Sequence, residues 1–216
     1  MVADLFILAA GQSVRMGRSK PLVKLGSMTL LERAVRAGTE SGVRNVTVVT
    51  GADGREVSAE AERLGAGVVA NPDYRQGLSF SVRTAAESAK KAAPPPDAVI
   101  LAACDQPFLT SGVLDSLVWA ARSGSSEDPF PAAAGYEGIL GVPALFPRKF
   151  WGELEGLTGD QGAGRMLNRL GSAVQVLDWP EGAVNLNRVS DLARPDLASL
   201  PRPDCRIMVP FHRFSA

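Results

Sequence analysis

Apolar and polar positions along this chain repeat on two different periods. Leu5–Ala10 is an apolar run of strand length, and Leu30–Gly42 then carries apolar residues at helical spacing and closes on a glycine. The β-branched run Asn45–Thr50 predicts a second strand, and Asp53–Leu64 predicts a second helix with Asp53 at its N-cap. Gly67–Ala70 reads as a third strand, closed by the turn pair Asn71-Pro72. Ser79–Ala92 predicts a helix that Pro94-Pro95-Pro96 stops. Ala98–Ala103 is nearly all apolar and predicts a strand buried on both faces, and Thr110–Arg122 predicts the helix after it.

Strands that alternate with helices of about 12 residues point to an α/β domain: a mixed, mainly parallel, Rossmann-like sheet with helices on both faces. The first three strands are expected side by side and parallel. The second half is less regular. Pro131–Tyr136 and Ile139–Phe146 suit a hairpin, Gly162–Leu170 a short helix, and Ala173–Leu177 and Ala183–Leu186 two more strands, so antiparallel additions are expected there. One domain is expected over residues 1–193. The remainder, Arg194–Ala216, holds four prolines and no period, and reads as a surface wrap or a partly disordered tail.

Composition narrows the function. With 216 residues the chain can bury one good core, and 45% hydrophobic with 21% charged residues is ordinary for a globular protein. Lys and Arg number 23 against 23 Asp and Glu, so there is no basic footprint for long nucleic acid, while a few local cations suffice for a nucleotide. No apolar stretch approaches the roughly 20 residues of a membrane span, and the start reads as a strand rather than a signal peptide. Two cysteines, Cys104 and Cys205, show no metal spacing. A reduced, cytoplasmic setting is the default expectation.

The chemistry gathers at strand exits. Strand one empties into Ala9-Ala10-Gly11-Gln12-Ser13-Val14-Arg15-Met16-Gly17-Arg18-Ser19-Lys20-Pro21. Small residues let a ligand approach the backbone, successive N–H groups in such a turn bind anions, and Arg15 and Lys20 add positive charge. The bland alternative is a glycine-containing surface loop with solvated basic residues. Neither GxGxxG nor GK[ST] is present, which counts against dinucleotide dehydrogenases and P-loop NTPases. Strand four ends at Cys104-Asp105-Gln106-Pro107, where Asp105 suits either a Mg²⁺ bridge to phosphate or a cap for the helix near Thr110.

LAAGxSxRMGxxK, here Leu8 to Lys20, resembles the opening signature of the sugar-nucleotide and cofactor nucleotidyltransferases, and the molybdenum cofactor cytidylyltransferases among the MobA-like NTP transferases in particular. The string Cys104 to Leu109 is similar to their metal-site motif. Gly77-Leu78-Ser79-Phe80-Ser81-Val82 resembles their GMSxSL segment, Gly141 to Phe146 their GxPxLF, and Gly159-Asp160-Gln161-Gly162-Ala163-Gly164 their GDxGAR, with Gly164 where Arg is common. The resemblance implies a nucleotide-diphospho-sugar transferase fold and transfer of CMP from CTP to molybdopterin, with Mg²⁺ on Asp105. It implies a nucleotide held by Leu8, Ala9, Ala10, Gly11, Ser13, Arg15, Gly17, Lys20, Gly77, Leu78, Ser79 and Asp105. Arg15, Lys20 and Asp105 then carry the catalysis, and Gln106, Pro143 and Asp160 meet the acceptor. A molybdoenzyme client is a further implied partner.

For Ser79 and Asp160, capping the helices that follow is the competing reading. One departure matters. Where the cytidylyltransferases end in DxDTPxDL, this chain has Asn185-Leu186-Asn187 and continues to Asp191-Leu192. The asparagines resemble the NxNTP of the guanylyltransferases and weaken a second metal contact. Three alternatives therefore stay open: a guanylyltransferase for the same cofactor, a nucleotidyltransferase for another small phosphate, and a non-catalytic cofactor-binding chaperone.

Overall fold

The structure, a computed structural model, describes residues 1–124 and 128–213. Strand β1, Ala3–Ala9, leads into a small hairpin of β2, Lys24–Leu25, and β3, Met28–Thr29. Helix α1 follows at Leu30–Thr39, then β4 Val46–Thr50, α2 Gly54–Arg63, β5 Gly67–Ala70, α3 Leu78–Lys91, β6 Ala98–Ala103 and α4 Ser111–Arg122. The second half supplies β7 Ala132–Tyr136, β8 Ile139–Pro147, α5 Trp151–Glu155, α6 Gly164–Leu170, β9 Gln175–Asp178 and β10 Phe211–Arg213.

Eight strands form one sheet in the order β10-β9-β7-β8-β6-β1-β4-β5. Strands β6, β1, β4 and β5 are mutually parallel, and β8 joins β6 antiparallel. The expected mixed, mainly parallel sheet is thus found, with β1, β4 and β5 adjacent. Alternation along β1 assigns the two faces. Leu5 and Ile7 pack with α1, α2 and α4 through Leu31, Val57 and Leu117, while Phe6 packs with α3, α5 and α6 through Val82, Trp151 and Leu167. Helix α1 comes close enough that a Cβ on Gly38 would lie 2.6 Å from Leu5 Cδ2. Thr29 caps α1 by accepting the Glu32 N–H at 2.9 Å, and Thr110 caps α4. Asp53 stands ahead of α2 but makes no side-chain cap there.

The expected hairpin is β7–β8, and its two-residue turn, Glu137-Gly138, has φ of 50° and 75°. Positive φ at both central residues gives the turn twist that matches paired strands. The strand expected at Ala183–Leu186 does not form. A 3₁₀ turn occupies Pro180–Ala183, and just beyond it the Leu186 N–H donates to the carbonyl of Asp105, in the loop after β6, at 3.0 Å. Residues 194–213 run back over the sheet's α4 side. Ser111 and Gly112 donate backbone N–H groups to Pro203 and Cys205, and β10 then pairs antiparallel with β9. Among the described residues no helix is long and apolar enough to cross a membrane.

Candidate active site

The parallel strands β1 and β6 end at the same level, so their exit loops face each other across a cavity of about 600 Å³. Ligands in open α/β sheets bind at this edge, beyond the carboxyl ends of strands. The first loop is tightly shaped. Ser13 has φ 53°, its carbonyl accepts the Met16 N–H, and its Oγ accepts the Lys20 N–H at 2.9 Å. Met16 is buried against Val23, Leu30 and Leu186, which pins the loop between two exposed stretches. The loop therefore presents Lys20 from a fixed backbone.

Lys20 Nζ donates to Asp105 Oδ2 at 2.7 Å and to Asn187 Oδ1 at 2.9 Å. Arg15 Nη2 reaches the same Asn187 oxygen at 3.4 Å. Both Lys20 and Asp105 side chains are 18% exposed, so solvent screens this pair less than a surface ion pair. Asp105 does not cap α4, where Thr110 does that work. Asp105 and Asn187 thus converge two hard oxygens on one point, at present filled by the lysine's own cation. Among the described residues no three His, Cys, Asp or Glu side chains gather into a metal cage. A divalent ion of the Mg²⁺ type fits such a pair, because it keeps several waters and takes phosphate oxygens from its substrate.

The rest of the wall is mainly apolar, with Gln12, Ser81 and Asn185 as further polar members. Its apolar members are Leu8, Ala9, Ala10, Leu78, Val82, Tyr136, Val142 and Ala163. Of the residues expected at the nucleotide, Leu8, Ala9, Ala10, Gly11, Ser13, Arg15, Lys20, Leu78 and Asp105 line the cavity. Gly17, Gly77 and Ser79 do not. Gly77, at φ 115°, is the N-cap of α3, and a Cβ on it would meet the Gly159 carbonyl oxygen at 2.3 Å. Its lack of a side chain lets the Gly159 loop pack against it. Ser79 lies inside the helix, fully buried, and donates its Oγ–H to Gly159 O at 2.7 Å.

The expected acceptor residues are also set back. Gln106 is buried behind the wall, with its amide N–H groups on the carbonyls of Val142 and Gly182, while its Oε1 has no hydrogen-bond partner. Pro143 sits within β8, next to the wall residue Val142, and Asp160 is exposed and caps no helix. Sequence reasoning passed over Ser81, Val82 and Tyr136 as contacts. The first two lie in the segment already singled out, one helical turn beyond Leu78, while nothing local marks Tyr136. Burial raises the Tyr136 phenol above its ordinary range. Burial also pushes the Cys104 thiol up to about 12, so it is no nucleophile at neutral pH.

Residues 5–174 match the family model of the MobA-like NTP transferase domain. The chain belongs to that family. Among curated relatives of this MobA-like transferase, the bifunctional IPC transferase and DIPP synthase of Rubrobacter xylanophilus is 42% identical over 85 residues, 37% of this chain and 20% of that protein. The matched region is thus a small part of that relative. The molybdenum cofactor cytidylyltransferase of Escherichia coli is 29% identical over 143 residues, 66% of this chain and 68% of that protein. The crystal structure of the Mycobacterium tuberculosis rv0371c homolog from Mycobacterium sp. strain JC1 aligns with a TM-score of 0.74 at 25% identity, covering 92% of this chain and 96% of that one. Family and fold therefore agree with a nucleotidyltransferase.

Proposed function

We propose that this chain transfers CMP from CTP to the terminal phosphate of molybdopterin. An acceptor phosphate oxygen forms a bond to the α-phosphorus, the bond from that phosphorus to the β-phosphate oxygen breaks, and pyrophosphate leaves with the electron pair. The acceptor needs no protein base, since a phosphate monoester has its second pKa near 6 and is already an anion at neutral pH. This agrees with a site in which Cys104 is inert and whose lining holds no histidine. Arg15 and Lys20 bind the triphosphate and neutralise the charge that grows on the leaving pyrophosphate. Asp105 and Asn187 would hold Mg²⁺, which when bound supplies charge neutralisation between nucleotide and acceptor phosphates. The apolar walls exclude water from the cavity and align the two substrates, which is most of what in-line transfer requires.

The observation that carries this reading is the convergence of Lys20, Asp105 and Asn187 at the mouth of an apolar cavity. The choice of CTP rests on Ala9-Ala10 and Leu78 at the wall and on similarity to the Escherichia coli cytidylyltransferase. Asn187 at the charged cluster favours the guanylyltransferase as second reading, and the Rubrobacter relative keeps another small phosphate acceptor in view. The test is pyrophosphate release with Mg²⁺, each NTP in turn, and molybdopterin or other phosphate acceptors. Release with CTP and molybdopterin alone supports the proposal. A GTP preference or a different acceptor replaces it, and nucleotide binding without turnover points to the chaperone.

A further inference from the structure

Asn187 reaches the charged cluster from an unusual place. It does not sit on a strand or helix but in a return segment that makes one backbone bond to the sheet loop, Leu186 N–H to Asp105 O. A side chain on such a segment needs something local to fix it. Asp191 supplies it. One carboxylate oxygen, Oδ2, accepts the Asn187 N–H at 2.7 Å and the Arg188 N–H at 2.8 Å, while the Asp191 N–H returns to the Arg188 carbonyl at 3.0 Å. These bonds close a rigid turn directly behind Asn187. Leu186 and Leu192 flank the turn and pack on the small apolar cluster that also buries Met16 of the first loop. The turn and the loop bearing Arg15 and Lys20 thus share one anchor.

We propose that Asp191 is a positioning residue for the cation site, acting through the backbone of Asn187 rather than by touching substrate or metal. It keeps Asn187 Oδ1 aimed at the point where Asp105 Oδ2 also converges. The inference rests on the proposed nucleotidyl transfer only in treating that point as the place of a divalent ion.

The test uses Mn²⁺ binding by the full chain in the presence of CTP, read by electron paramagnetic resonance, with melting temperature alongside. Asp191→Ala is expected to weaken Mn²⁺ binding about tenfold, as is Asn187→Ala, and the double variant no more than either alone. Asp191→Asn keeps an oxygen acceptor but loses its charge, and is expected to lose about threefold in the parent chain and nothing in the Asn187→Ala background. This milder variant carries the same cycle if Asp191→Ala does not fold. Losses that persist in the Asn187→Ala background, or no loss in the parent, overturn the proposal, because a purely structural role would move melting temperature and add to the Asn187 effect. Pyrophosphate release by the parent chain is scored separately. A parent that binds Mn²⁺ in this pattern but transfers nothing to molybdopterin refutes the acceptor while leaving the Asp191 assignment intact.

Discussion

The mouth of the cavity and its walls are built in opposite ways. At the mouth, charge is concentrated: Lys20, Asp105, Asn187 and Arg15 meet within hydrogen-bonding reach, each drawn from a loop. The walls are mainly apolar, taken from the end of β1, the first turns of α3 and the β7–β8 hairpin. All nucleoside triphosphates look alike to the mouth, whereas base and acceptor differ only where they meet the walls. Under the proposed reaction, rate and selectivity would reside in separate residues, and substitution can break them apart.

The largest effect belongs to the mouth. Under the proposed reaction, Asp105→Asn should lower pyrophosphate release by about a hundredfold or more, the scale at which loss of one electrostatic stabiliser is felt. Melting temperature should shift little, since the Lys20 left behind keeps contact with Asn187 and solvent. Full activity in this variant would remove Asp105 from the reaction. Next come the cations. Lys20→Ala and Arg15→Ala should each weaken CTP binding by about tenfold, roughly 1.4 kcal/mol, and CMP binding far less. Calorimetry that finds equal losses for both nucleotides would place these side chains on the base, ribose or α-phosphate.

Wall substitutions should do the reverse. The parent is expected to prefer CTP over GTP by at least about tenfold in kcat/KM, and Ala9→Gly with Ala10→Gly to narrow that ratio without a matching loss of total turnover. Exchanging the whole Gln76–Ser79 segment is not a usable probe, because any side chain at Gly77 runs into the Gly159 carbonyl. Leu78→Ala is the cleaner companion. A parent that prefers GTP would transfer the selectivity to the asparagines at the mouth and dissolve the distinction. The smallest effect is expected at Cys104. With its thiol near 12, about one molecule in ten thousand is thiolate at pH 8, so iodoacetamide should label Cys205 first, as mass spectrometry can follow. Cys104→Ala should keep turnover within about twofold.

Legibility in the sequence followed the same division. Elements whose burial is decided locally were readable: β5 lies at Gly67–Ala70 as its pattern predicts, and the α3 and α4 boundaries agree within one residue. Lys20 and Asp105 could be named because each lies at a strand exit, where ligands bind in such sheets, and in a motif that resembles those of the nucleotidyltransferases. What failed depends on contacts distant in sequence. Val184 and Leu186 are apolar and alternate as a strand would, yet Leu186 is buried against Met16 and Leu30, with no strand beside it to complete a ladder. Nor does the motif holding Gly77 and Ser79 announce that both contact the loop at Gly159, some eighty residues on, rather than line the cavity. Tyr136 lines the cavity from the end of β7, a strand that β8 separates from β6, so only the long-range pairing of β8 with β6 brings it there.

The lysine lodged between Asp105 and Asn187 has a consequence for the order of events. The free chain carries its own counter-ion, so the oxygen pair is satisfied before any metal arrives and has little reason to scavenge one from solution. Under the proposed reaction, a triphosphate would offer Lys20 a stronger partner and, in drawing it away, would open the vacated place to a divalent ion that the same phosphates would help to hold. Nucleotide and metal would then each raise the other's affinity by the same factor. One flexible side chain would act as a latch, making the site an acquisitive one only when there is something to transfer.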